Sequence, residues 1–116
     1  LLVTDPNAVL DDDAMKVQLD DNGIVCGLDK VKVDITKCVG EYIGVTKLSA
    51  AAGEAVFREL SKFKADGLLH EYYDHSYERL SRRGEMPFGV YMLDANSPWR
   101  EIDDDADLRD ARARFT

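Results

Sequence analysis

Residues 97–115 read SPWREIDDDADLRDARARF, and the reading of this stretch decides the fold. Trp99 and Ile102 are apolar anchors expected to bury and fix the backbone, and three aspartates, Asp103 to Asp105, follow at once. Asp104, with Asp107 three residues on, makes an acidic capping box, so a final helix is expected to begin near Asp104. Asp103 then stands just before that helix. Two roles stay open for it. A carboxylate held by packing on both sides is a rigid oxygen ligand, and a hard cation such as Mg²⁺ takes one or two of these together with substrate phosphates. The other role is structural, because acidic helix starts satisfy free amides and complement the helix dipole.

Working back from the tail, FGVYMLD (88–94) reads as a strand. Before it, a helix over about 68–83 carries Leu69, Tyr72, Tyr73, Tyr77 and Leu80, with Gly84 closing it. An earlier helix is capped by Ser49, has Val56, Phe57, Leu60 and Phe63 at helical spacing, and ends at Gly67. VGEYIGVTKL (39–48) reads as a strand interrupted by Gly40 and Gly44, a place where a ligand or another backbone comes close. Residues 15–29 hold two alternating segments around Asp20-Asp21-Asn22-Gly23, which predicts a β-hairpin. Leu1 to Thr4 already look like part of a strand and open without methionine, so the chain is expected to be a piece of something longer. The order predicts an α/β fold, a partial mixed sheet with covering helices that is short of strands.

Composition limits the function classes. A chain of 116 residues fits one small domain, residues 1–116, and 45% hydrophobic with 33% charged residues describes a folded protein. A net charge of −8 without a Lys/Arg cluster argues against nucleic acid and against an anionic membrane as partners. Cys26 and Cys38, with no CxxC and no His at ligand spacing, read as reduced thiols of a cytoplasmic protein. His70 and His75, five apart, face different ways on a helix and suit neither a shared metal nor a catalytic pair.

The run W-R-E-I-D-D-D-A-D-L-R-D-A (99–111) resembles the Trp-x-Glu-Ile-Asp-x-x-x-Asp-Leu-x-x-Ala closing motif of nucleotidyltransferases with a glycosyltransferase-A-like, Rossmann-like fold, above all the phosphocholine and phosphonate cytidylyltransferases. DDDAMKVQLDDNGIVCGLDK (11–30) looks like that family's Asp-rich loop, hairpin and following Lys, and VGEYIGVTKLS (39–49) looks like its Gly-Glu-x-x-Gly strand. HEYYDHSYERL and PFGVYMLD resemble the helix and strand that lead into the closing motif. The likeness covers the C-terminal, acceptor-binding half of such an enzyme. The Gly-rich loop with Arg and Pro-Lys, and the Gly-Asp that supplies the other metal ligand, do not occur.

The resemblance implies Mg²⁺ as cofactor with Asp103 as a ligand. It implies a nucleoside triphosphate and a phosphorylated small-molecule acceptor as partners, and pyrophosphate as leaving group. Lys30 matches the basic position that meets the acceptor phosphate, though a solvated lysine explains it as well. Glu41 is expected to contact a polar or cationic head group, and Tyr42 to stack on it or simply to pack in its strand. Gly44 is expected to allow close ligand approach. A partial sheet leaves open edges, so self-association, or pairing with the missing N-terminal half, is expected.

Overall fold

The computed structural model describes residues 1–116. Five strands, β1 (Leu2–Asp5), β2 (Lys16–Leu19), β3 (Val25–Asp29), β4 (Cys38–Thr46) and β5 (Val90–Met92), form one sheet in the order β3-β2-β4-β1-β5. Only β1 and β5 run parallel; the other three pairings are antiparallel. Three helices complete the α/β domain: α1 (Ala50–Ala65), α2 (His75–Arg82) and α3 (Asp105–Phe115). The strand expected at the start of the chain forms, and its place in the sheet is central. Leu2 to Asp5 pair on both sides, with β4 and with β5, and so lie inside the sheet.

The β2–β3 hairpin forms as expected, with Val17 opposite Leu28. Its turn is held by Asp20, whose Oδ1 accepts from the amides of Asn22 and Ile24 at 2.8 and 2.9 Å. Gly23 alone takes a positive φ, +77°, so the turn uses one left-handed residue and not two.

The core lies on the face covered by α1 and α2. Leu2, Val17, Val25, Leu28 and Tyr42 from the sheet meet Ala55 and Val56 of α1, Tyr77 and Leu80 of α2, and Phe88. Ser49 caps α1 as expected, its Oγ accepting from the amide of Ala52. The buried stripe of α1 is Ala52, Ala55, Val56, Glu59 and Phe63. Phe57 is 73% exposed, which corrects its place among the core positions.

The second helix is also shorter than expected. Residues 68–74 form turns, and α2 begins only at His75. Leu69, Tyr72 and Tyr73 point outward, so no apolar stripe extends the helix upstream of Tyr77. At the tail, Asp104 caps α3 as expected by accepting from the Asp107 amide, but the return bond of a capping box is displaced by one residue: Asp107 Oδ2 accepts from the Asp103 amide at 3.1 Å, not from that of Asp104.

Candidate functional site

A cleft of about 1050 Å³ opens where the carboxyl end of β1 meets the tail that follows β5. Its position follows from one bond. Trp99 Nε1 donates to Asp5 Oδ2 at 2.7 Å, tying the segment before α3 to the end of β1. Trp99 is half-buried, as expected of an anchor; Ile102 is 51% exposed, which corrects the expectation that it anchors too.

All five residues singled out from the sequence line this one cleft: Lys30 from the end of β3, Glu41, Tyr42 and Gly44 from β4, and Asp103 from the tail. Buried Lys16 helps to assemble two of the walls. Its ammonium donates to the carbonyl oxygens of Asp11, Ala14 and Lys30, fastening the Asp-rich loop to the end of β3. Lys30 itself reaches over the Tyr72 ring, 5.4 Å from its centroid. Burial works against the Lys30 charge, but Tyr72 and the carboxylates of Asp13 and Glu101 outweigh it and raise the pKa.

Glu41 is half-buried, and its pKa is raised, first by desolvation and then by Glu101, Asp11 and Asp5. Tyr42 is 5% exposed, with its ring edge-on to Tyr77 and its hydroxyl bonded to Thr46 Oγ1 at 2.7 Å. Desolvation holds that phenol well above its usual pKa. The aromatic surface open to a ligand belongs instead to Tyr72 and Tyr73, each 49% exposed. Gly44 has φ +83°, and a Cβ there would meet nothing within 4 Å. Backbone conformation therefore accounts for this glycine, and the cleft in front of it is open.

The charge of the cleft is one-sided. Eight carboxylates line it against three cations, Lys30, Arg100 and Arg114. Two of the cations are already engaged: Arg100 with Asp107 at 2.5 Å, and Arg114 with Asp110 at 3.1 Å. The Asp103 carboxylate is exposed and accepts no protein hydrogen bond.

Asp5 is the residue that the sequence reading missed. It ends β1, pairs in register with Glu41, and faces the same cleft as Asp103. The signal was present in Leu2-Val3-Thr4-Asp5-Pro6, an alternating run closed by Asp-Pro, and only the bond to Trp99 joins it to a site 94 positions away. No three His, Cys, Asp or Glu side chains converge into a preformed metal cage. Asp5 and Asp103 fit a hard cation in donor type, two carboxylates from separate segments with the remaining positions left to ligand oxygens. Comparison with family models, with curated proteins and with solved structures finds no match to this chain.

Proposed function

We propose that this chain is the acceptor-binding half of a Mg²⁺-dependent nucleotidyltransferase with a Rossmann-like sheet, moving a nucleotidyl group, with CTP as the expected donor, onto a phosphorylated or phosphonate small molecule. The observation that carries this reading is the convergence of Lys30, Glu41, Gly44 and Asp103, from three separate segments, on one cleft at a strand's carboxyl end. In the reaction an acceptor oxygen bonds to the α-phosphorus as the bond to pyrophosphate breaks. Positioning and charge neutralisation dominate such chemistry. Lys30 meets the acceptor phosphate as a point charge, while Glu41 and the open tyrosine faces receive its polar or cationic end. Asp5 and Asp103 would hold Mg²⁺, which offsets the repulsion between two anionic reactants.

The test is pyrophosphate release by the intact protein with each of the four triphosphates and a panel of phosphorylated acceptors. Asp103→Asn is expected to lower turnover at least about 100-fold while the fold is kept. Unchanged turnover removes Asp103 from the mechanism. The acidic lining favours a second reading, a non-catalytic domain that binds a cationic ligand. Ligand binding without pyrophosphate release under any condition selects that alternative.

A further inference from the structure

The last backbone bond between the end of the chain and the sheet is that of the Leu93 amide to the Thr4 carbonyl, at 2.8 Å. Beyond it, residues 94–116 make a single hydrogen bond to the rest of the protein, from Trp99 Nε1 to Asp5 Oδ2, and no ion pair. None of these residues belongs to the hydrophobic core cluster, and Ala111 is the only one of them that is buried. No helix or strand lies between Met92 and Asp105 to stiffen the connection.

Within itself the same segment is well bonded. The amides of Asn96 and Ser97 close a turn on Asp94. Arg100 meets both Asp107 and Asp110, Arg114 meets Asp110, and Asp107 accepts from the Asp103 amide. A unit with many internal bonds and one external bond opens as a body about its point of attachment. It also forms one wall of the cleft, which Trp99, Arg100, Glu101, Asp103, Asp107 and Arg114 all line.

We propose that residues 94–116 are a hinged strap, turning at Leu93 and Asp94 and latched by the Trp99–Asp5 bond, whose release swings one wall away from the cleft. Opening hands the indole N–H and the carboxylate to water, which satisfies both, so the net strength of the latch is modest and the motion reversible. A ligand that spans both walls is enclosed only when the latch closes behind it. The inference concerns access to the cleft, and it holds for either reading of what the cleft binds.

Native-state hydrogen exchange followed by NMR tests the strap. Trp99 is the only tryptophan, so its indole N–H gives one assignable signal. In the wild-type protein the Trp99 Nε1–H and the amides of Leu108 and Ala111 are expected to exchange through one common opening. That opening should depend weakly on urea and be more frequent than the opening that frees the Val56 and Leu60 amides of α1. Trp99→Phe keeps an aromatic ring and removes the donor. It should speed exchange at Leu108 and Ala111 about tenfold and leave α1 unchanged, because one bond to a carboxylate is lost and the core is not touched. Three results overturn the inference: α3 amides as protected as those of α1; α3 amides that open while the Trp99 N–H stays protected, which is fraying of a helix end; or a variant that speeds both helices equally or neither. Should the variant fail to fold, the wild-type comparison of Trp99, α3 and α1 decides by itself.

Discussion

Gly40 and Gly44 sit four residues apart on β4, and the chain needs glycine at each for a different reason. A Cβ on Gly40 would lie 2.3 Å from the carbonyl oxygen of Asp5 and 2.8 Å from Thr4 Cγ2, so β1 itself would have to move. A Cβ on Gly44 meets nothing, and only its φ of +83° penalises a side chain. Gly40→Ala is therefore expected to destabilise by about 1–3 kcal/mol. Gly44→Ala should cost about 1 kcal/mol, by loss of the left-handed conformation alone. Urea denaturation of the two variants measures the difference; equal losses would show that the approach of β1 is not what Gly40 serves. The sequence shows that β4 is interrupted twice. It does not say that one interruption admits a neighbouring backbone while the other bends the strand beside an open cleft, because both look alike until the strand order is known.

The joint between α1 and α2 depends on a charge pair that helical spacing does not reveal. Glu59 is 2% exposed on the buried stripe of α1, and Arg83, just past the end of α2, meets it through two bonds of 2.9 and 2.6 Å. Arg83 chiefly, with Lys62 adding, holds the Glu59 carboxyl below its usual pKa. A carboxylate with a depressed folded-state pKa contributes stability above the ordinary glutamate value, about 4.3, and loses it as pH falls through the folded-state value. Arg83→Met strands Glu59 without its main partner and should cost about 2 kcal/mol near pH 7, less than a fully buried pair because Arg83 is partly exposed. The gap between variant and wild type should narrow below about pH 4, and denaturation midpoints across pH test this. A gap that stays constant down to about pH 2 would mean that the variant loses packing and not charge pairing. The start of α1, the Asp104 cap of α3 and the β2–β3 hairpin were legible because each is decided by residues within a few positions. The start of α2 and the exposure of Phe57 were not, since they depend on which faces the sheet covers.

At the scale of the whole molecule, the net charge is −8, and the fold places eight carboxylates against three cations in the cleft. Repulsion there is screened by salt, whose reach falls from about 30 Å at 0.01 M to about 10 Å at 0.1 M. The melting temperature is expected to rise by a few degrees between about 0.01 M and 0.3 M NaCl. Cation binding should weaken over the same range, and a falling melting temperature would show that the acidic lining is not under repulsive strain. No helix is long and apolar enough to cross a membrane. By itself the sequence determined the local pieces: the capped helices, the hairpin, the acidic balance and the choice of Lys30, Glu41, Tyr42, Gly44 and Asp103 as residues to watch. Propensity, capping and charge act over a few residues, so they can be read along the chain. Tertiary structure alone decided that β1 lies inside a five-stranded sheet, that Asp5 lines the same cleft as Asp103, 98 positions away, and that Asp74 is buried with an oxygen left unpaired. Those facts follow from strand order and from the Trp99 bond, contacts between distant segments that no local pattern encodes.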